Sequence, residues 1–227
     1  DIDPAKIDSL KAGNCPIYEP GLEDIIKLSR LNQNLKFSTD LRESGDDTEV
    51  YFICVGTPSG DDGSADLRAL RAASSDIAKH VKNKAIAVIK STVPIGTNKE
   101  IENFFKTEGN DKIEVVSNPE FLREGEAIRD FRYPDRIVIG SDNKNEFKMM
   151  RKLYSPLISK GAKFFTTSRK GAELIKYASN AFLATKITFI NELANLCEKT
   201  GINVEDISLG IGSDSRIGSR FLRPGPA

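Results

Sequence analysis

The segment VYFICVGTP at residues 50–58 decides the fold, because a short apolar run there ends in glycine, threonine and proline. Two later segments repeat this arrangement, AIAVIKSTVP at residues 85–94 and IEVVSNPE at residues 113–120. Short apolar runs that stop at a proline are typical of buried strands, and amphipathic stretches lie between them here. The alternation predicts repeated β-α units and a doubly wound parallel sheet with α/β architecture.

The same patterns place the remaining elements. Strands are predicted at residues 35–38, 50–56, 85–90, 113–117, 135–140 and 163–167, with helices at residues 4–12, 66–81 and 96–107. Residues 168–200 carry apolar side chains at steps of three or four without a proline, which predicts one long helix. Gly201 should end it, Asn203 should cap a short helix over residues 203–209, and the Gly- and Pro-rich residues 210–227 indicate a loop.

Composition excludes several classes of function. The 227 residues hold 33 basic and 33 acidic side chains with no basic stripe, so nucleic acid is not an expected partner. The apolar runs are too short to cross a bilayer, and no signal peptide precedes Asp1, so a cytoplasmic location without membrane contact is expected. The three cysteines are spaced like neither a zinc site nor a disulfide framework, and we predict no metal. A Ser-His-Asp triad would have to use His80 without a G-x-S-x-G turn.

Candidate site residues follow the predicted strands. Ligands bind beyond the carboxyl ends of strands in open parallel sheets, and Thr57, Thr92 and Asn118 follow three successive strands there. The alternative for each is that prolines end strands and hydroxyl groups cap the next helix. Three such ends in succession favour a site.

Two pairs of polar residues are spaced four apart. Glu120 and Glu124 would share one face of a helix and supply a general base, with a solvated acidic turn as the alternative. Lys176 and Asn180 on the long helix could stabilise an oxyanion, with an ordinary exposed lysine as the alternative.

Taken together, the motifs resemble one family, the UDP-glucose/GDP-mannose dehydrogenases, which oxidise the C6 alcohol of a nucleotide sugar to a carboxylate. The matching segments occur in family order at residues 16–22, 53–58, 91–97, 118–127, 134–140, 173–193 and 216–218. The resemblance implies a Rossmann-type NAD-binding domain over residues 1–168 and a central helix with a dimerisation region over residues 169–227. It implies NAD as cofactor, UDP-glucose as substrate and a homodimer through the central helix. GDP-mannose or a UDP-N-acetylhexosamine remains an alternative substrate.

The resemblance also implies roles for individual residues. Those near the cofactor would be Asp1, Lys6, Thr57, Thr92 and Glu124. Those near the substrate would be Glu120, Phe121, Leu122, Lys176, Asn180, Arg216, Phe221 and Arg223. Among them, Lys176 and Asn180 match the pair that stabilises oxyanions, Glu120 matches a group that helps hydrolyse a thioester, and Thr92 with Glu124 matches the pair that places a water. Arg216 matches an arginine that reaches a sugar in the partner subunit.

Two family motifs fall outside the printed sequence. The glycine-rich turn is expected just before Asp1, and the motif with the nucleophilic cysteine is expected just after Ala227. Cys15, Cys54 and Cys197 do not stand in that motif, and we expect Cys54 and Cys197 to be buried in a strand and a helix. The sequence is therefore expected to be an internal fragment that is inactive alone. A non-catalytic dimerisation fragment is the alternative.

Overall fold

A computed structural model describes residues 1–226 and divides into two compact units. The first unit is Asp1–Leu174 and the second begins at Ile175, so the division falls inside the long helix.

The first unit contains a five-stranded sheet in the order β1-β2-β3-β4-β5. The strands are β1 Val50–Ile53, β2 Ala85–Ile89, β3 Ile113–Ser117, β4 Arg136–Gly140 and β5 Lys163–Thr167. The pairs β1-β2, β2-β3 and β4-β5 are parallel, whereas β3 and β4 pair antiparallel through Ser117 and Gly140. The sheet is thus mainly parallel rather than wholly parallel. A parallel crossover normally uses a long helix, and the helix between β3 and β4 has only 6 residues.

Helices cover both faces of the sheet. They are α1 Pro4–Ala12, α2 Leu22–Leu31, α3 Arg68–His80, α4 Thr97–Thr107, α5 Ala127–Arg132, α6 Lys144–Leu153 and α7 Ser155–Ile158, with a 3₁₀ turn at Leu41–Ser44. Leu70 and Phe105 belong to one core cluster, and Val88, Ile139 and Met150 belong to a second. Every residue of β2 is buried, as expected for a central strand that is covered on both faces.

The edge of the sheet corrects two expectations. Residues 35–38 were predicted as a strand, but they form none and pair with no described strand. The Asp1 amino group donates to the Ser38 carbonyl in this segment. Cys54 is exposed rather than buried. Strand β1 alternates, with Tyr51 and Ile53 buried while Phe52 is 40% exposed, and Cys54 continues the face of Phe52.

The second unit consists mostly of helix. Helix α8 runs over Arg169–Thr200, and Gly201 follows it with a φ of +71°, a left-handed conformation that favours glycine. Helix α9 spans Val204–Gly212, three residues beyond the predicted end, and the Asn203 side chain accepts a hydrogen bond from the Glu205 N–H as predicted. Cys197 is buried as expected.

The segment after α9 lies along α8. The Lys186 ammonium donates to the Ile217 carbonyl at 3.1 Å. The Asn191 amide bonds the backbone of Gly225 through both its nitrogen and its oxygen, at 2.9 and 2.8 Å. Among residues 1–226, no helix has both the length and the apolar character needed to cross a membrane.

Candidate functional site

The polar residues predicted at the strand ends, Thr57, Thr92 and Asn118, follow β1, β2 and β3, and Thr57 contacts Thr92 there. The Thr57 hydroxyl donates to the Thr92 carbonyl at 2.7 Å, and the Ser91 hydroxyl donates to the Val55 carbonyl at 2.7 Å. These hydroxyl groups therefore tie neighbouring strand ends together and are not used to cap a helix. Helix α4 instead begins after Gly96, which provides no side-chain cap. We call the group formed by Thr57, Ser91, Thr92 and Asn118 the carboxyl edge.

Asn118 is the most buried member of the carboxyl edge, at 2% exposure. Its N–H donates to the Ile89 carbonyl at 2.9 Å, and its side-chain amide donates to the Val138 carbonyl at 3.0 Å. The Tyr154 hydroxyl completes the set by donating to the Asn118 side-chain oxygen at 2.5 Å. Burial raises the pKa of Tyr154 to about 12, so the phenol keeps its proton at neutral pH. Tyr154 has no signal in the sequence motifs.

Residues 118–126, here called the site loop, have no regular structure. The prediction that Glu120 and Glu124 share a helical face is therefore wrong. Pro119 disfavours a helix at the start of the loop, and Gly125 has a φ of +81° near its end. The Glu120 carboxylate turns back to accept from the Leu122 N–H at 2.5 Å. Glu120 is half-buried, whereas Glu124 is exposed.

Charged side chains hold the site loop in shape. Arg123 pairs with Asp130 at 2.6 Å and with Glu126 at 2.5 Å, and its side-chain hydrogen bond lowers the pKa of Asp130. The Arg136 guanidinium lies over the Phe121 ring at 4.0 Å. Leu122, between these anchors, is 38% exposed.

The two aspartates at the start of the chain have different contacts. Asp3 caps α1 by accepting from the N–H groups of Ala5 and Lys6 at 2.9 and 3.3 Å. The Asp1 carboxylate pairs with the Lys6 ammonium at 2.6 Å, and about a third of each side chain is exposed. Asp1 and Lys6 therefore form a partly solvated pair, while Asp3 serves the helix.

Glu173 is a buried acid that the motifs do not single out. Its carboxylate accepts from the N–H groups of Gly96 and Asn98 at 2.6 and 2.8 Å and from the Asn98 side chain at 2.7 Å. It thereby supplies the cap that α4 lacks locally. The contact spans 77 residues of sequence from Gly96, so local spacing could not reveal it.

A second contact joins α8 to α4 one turn earlier. The Arg169 guanidinium bonds Glu102 at 3.0 Å and Asp142 at 2.5 Å. Arg169 and Glu173 on α8 therefore face Glu102 and Asn98 on α4, and on each helix the two residues are four positions apart, which is about one turn.

The second unit carries the remaining candidates. Lys176 is 6% exposed, which makes the alternative of an ordinary exposed lysine wrong, and Asn180 follows one turn later on α8 as an exposed amide. Arg216 is exposed and pairs with Asp214 at 2.6 Å. Phe221 has a φ of +64°, an uncommon backbone conformation for a bulky side chain, and Arg223 is exposed.

Comparison with known proteins gives consistent matches over the whole chain. Residues 1–158 match the NAD binding domain of the UDP-glucose/GDP-mannose dehydrogenase family, and residues 170–227 match its central domain. A UDP-glucose 6-dehydrogenase of Rickettsia felis is 48% identical over 226 residues, which are 100% of this chain and 50% of the relative.

Two solved structures share the fold. A UDP-glucose dehydrogenase of the hyperthermophilic archaeon Pyrobaculum islandicum has a TM-score of 0.94 and 38% identity, covering 99% of this chain and 52% of that one. A GDP-mannose dehydrogenase of Pseudomonas aeruginosa, solved as a ternary complex, has a TM-score of 0.91 and 32% identity, covering 100% and 54%. These matches confirm the predicted Rossmann-type fold with its long helix. The chain spans about half the length of the curated relatives it matches.

Proposed function

The chain belongs to the UDP-glucose/GDP-mannose dehydrogenase family, and from this premise we propose that the full-length protein oxidises UDP-glucose to UDP-glucuronate with NAD. The carboxyl edge carries the proposal, because Thr57 and Thr92 are bonded to each other at the strand ends where such folds bind ligands. In that reaction the C6 carbon would give up two hydrides, NAD would accept one at each stage, and one water would supply the second carboxylate oxygen. A cysteine thiolate would hold the aldehyde carbon as a thiohemiacetal, and the second oxidation would give a thioester.

The residues proposed for the cofactor fit a dinucleotide. Asp1 offers a partly exposed carboxylate suited to ribose hydroxyl groups, with Lys6 beside it. Thr57, Thr92 and Glu124 are polar groups at strand ends and on the site loop that could bond the rest of the cofactor. NAD, when bound, supplies the hydride acceptor.

Two groups on α8 suit the developing negative charge. The Lys176 ammonium is removed from bulk water, and in such a place its interaction with an oxyanion would be stronger than in solvent. The Asn180 amide adds a donor one turn away. Both stages of the oxidation pass through a tetrahedral oxyanion, so one pair of donors serves both.

Carboxylates of the site loop are proposed to manage water. Glu120 would assist the hydrolysis that releases the acid from the thioester, and Thr92 with Glu124 would place the attacking water. When water adds to the thioester carbonyl, the carbon-sulfur bond breaks and the sulfur leaves as a thiolate. Phe121, Leu122, Phe221 and Arg223 would contact the substrate.

We also propose a homodimer through α8 in the cytoplasm, with Arg216 reaching a sugar in the partner. Five large apolar side chains of the second unit are at least half exposed, and this supports the proposal, because apolar surface that faces water favours association. They are Phe182, Phe189, Leu196, Ile202 and Leu209. The proposed division is a cofactor domain at residues 1–168 and a dimerisation region at residues 169–227.

The substrate is the finer part of the proposal. Identity is higher to the proteins named for UDP-glucose than to the one named for GDP-mannose, which favours a glucose nucleotide. A UDP-N-acetylhexosamine and a non-catalytic dimerisation role are the remaining alternatives, the latter because Cys15, Cys54 and Cys197 do not match the nucleophile's motif.

Turnover of the full-length protein tests the proposal. We expect two NADH per UDP-glucose, measured by absorbance, with GDP-mannose and UDP-N-acetylglucosamine turned over at least tenfold more slowly. Lys176→Ala should lower kcat by about two orders of magnitude or more, while Lys199→Ala on the exposed end of α8 should leave it unchanged. Faster turnover of another nucleotide sugar would reassign the substrate. Absence of NADH with all three sugars would refute the enzymatic role.

A further inference from the structure

Glu19 connects an early loop to the site loop. It lies in the segment PIYEPGL at residues 16–22. Its two carboxylate oxygens accept from the N–H groups of Gly125 at 3.0 Å and Ala127 at 2.6 Å. The partners are 106 and 108 residues away in sequence, so this is a tertiary contact.

The contact satisfies backbone groups that lack a local partner. Helix α5 starts at Ala127, and Glu126, at its N-cap position, makes no side-chain capping bond. The N–H groups of Gly125 and Ala127 lie at this uncapped helix start, Gly125 exposed and Ala127 half-buried, and the Glu19 carboxylate supplies an acceptor that the helix itself does not provide. A carboxylate that binds two N–H groups forms charge-assisted bonds, which are stronger than neutral ones and fix direction as well as distance.

The other anchors of the site loop act differently. Arg123 bonds Asp130 and Glu126, all within the loop and α5, so these bonds define local shape. The Glu19 contact instead fixes the end of the loop against the segment that precedes α2. That segment is itself ordered, because the Leu22 N–H bonds the Glu19 carbonyl at 3.0 Å.

We propose that Glu19 is a positioning residue that sets the placement of Glu120 and Glu124 by holding the Gly125 and Ala127 amides. This inference rests on the proposed function, since it concerns the loop whose carboxylates would manage water. In this proposal Glu19 acts only through the site loop, by its bonds to the Gly125 and Ala127 N–H groups. Its effect requires two acceptor oxygens at the end of a side chain of this length.

Hydrogen exchange of the full-length protein tests the contact without reference to activity. In Glu19→Ala we expect the amides of Gly125 and Ala127 to exchange at least tenfold faster, while amides of β2 keep their rates. Glu19→Gln retains one carbonyl oxygen and should give an intermediate rate. Glu23→Ala removes an equal charge from an exposed position on α2 and should leave both amides unchanged. Wild-type exchange rates in Glu19→Ala would overturn the contact.

Steady-state kinetics tests the positioning role. Misplaced loop carboxylates should lower kcat about tenfold in Glu19→Ala, with partial recovery in Glu19→Gln. KM for UDP-glucose should rise less than kcat falls, because Phe121 and Leu122 lie on the same loop but Phe221 and Arg223 do not. Faster exchange with unchanged kcat would overturn positioning while leaving the contact in place. A wild-type protein that turns over no nucleotide sugar would refute the proposed function and the positioning role with it, whereas the exchange result would still decide the contact.

Discussion

Two buried glutamates in the first unit differ in their neighbours. Glu102 on α4 is 8% exposed and Glu146 on α6 is 4% exposed. Burial raises the pKa of Glu102, but bonds from Lys99 and Arg169 outweigh it and bring the value to about 2. Burial raises the pKa of Glu146 to about 7, because the bond from Ser141 is too weak an offset and Glu114 adds a second negative charge. Two buried carboxyls thus differ in charge: at neutral pH Glu102 is ionised, whereas Glu146, which is the more deeply buried, is about half protonated.

The difference separates two kinds of junction. Around Glu102, cations from α4 and α8 compensate the buried charge, and the nearby Glu173 uses backbone N–H groups for the same purpose. Around Glu146, burial and the neighbouring Glu114 favour the protonated carboxyl, and the bond from the Ser141 hydroxyl opposes them only in part. The stability of the junction around Glu102 should depend on keeping its charged residues. The stability of the junction around Glu146 should depend on pH near neutrality.

The largest effect is expected from Glu173→Ala, which would break the charged junction. The N–H groups of Gly96 and Asn98 would lose their acceptor in a buried place, which should lower the free energy of unfolding by about 4 kcal/mol. Urea unfolding measures this, with Glu100→Ala on the exposed side of α4 as the matched control. A loss as small as the control's would show that water replaces the carboxylate.

A smaller but still large effect is expected from Gly140→Ala, which tests how closely α8 approaches β4. A Cβ there would lie 2.7 Å from the Ala172 Cβ and 2.8 Å from the Ser168 carbonyl oxygen. Because backbone atoms cannot rotate away, we expect a loss of about 3 kcal/mol from overpacking. Gly210→Ala meets no atom within 4 Å and serves as the control in the same unfolding measurement. Equal stabilities would mean that α8 shifts freely.

Glu102→Gln should lower stability by a moderate amount that decreases at low pH. The folded-state pKa lies below the usual 4.5, so the charged carboxylate adds stability above about pH 4.5 and loses it as pH falls towards 2. We expect the variant to be less stable by about 2 kcal/mol at pH 7, because Arg169 loses a charged partner. The difference from wild type should shrink in unfolding measurements at pH 3. A constant difference at both pH values would contradict the assigned pKa.

The smallest effect at low pH is expected from Glu146→Gln. Its folded-state pKa is raised, so the contribution of this carboxyl is fully present below about pH 4.5 and is lost as pH rises through about 7. At pH 5.5 the amide replaces a protonated acid, and stability should change by less than about 1 kcal/mol. Between pH 5.5 and 8 the wild type should lose stability that the variant keeps. If wild type and variant change in stability equally over this pH range, Glu146 is not the group that titrates.

Sequence patterns predicted elements whose signals are local. The bounds of α1, β3 and β5 agree with the expected ranges, since proline, apolar runs and caps lie within each segment. Strand direction is not a local property, so the antiparallel pairing of β4 with β3 could not be predicted from the apolar pattern of either strand. Helix α6 follows Asn143, whose side chain caps it, and that cap was an available signal.

The candidate site shows the same difference between local signals, which the sequence reveals, and long-range contacts, which it does not. The residues that follow strands were found from their motifs, and Thr57 and Thr92 do meet. The helical spacing assumed for Glu120 and Glu124 failed, because a spacing of four fits a helix but does not require one, and residues 118–126 instead form an irregular loop in which the Glu120 carboxylate accepts from the Leu122 N–H. Glu19 and Glu173 bind backbone groups that are distant in sequence, and one sequence without a structure does not specify such partners.

The long separation between Glu19 and Gly125 has a consequence for the order of folding. Closing a loop of 106 residues in an unfolded chain costs about 4 kcal/mol of entropy by the logarithmic rule. That cost falls once β1, β2 and β3 have assembled, because the sheet then shortens the path between the two ends. The site loop should therefore acquire its final shape late, after the hydrophobic core, and during synthesis it can do so only after Ala127 has left the ribosome.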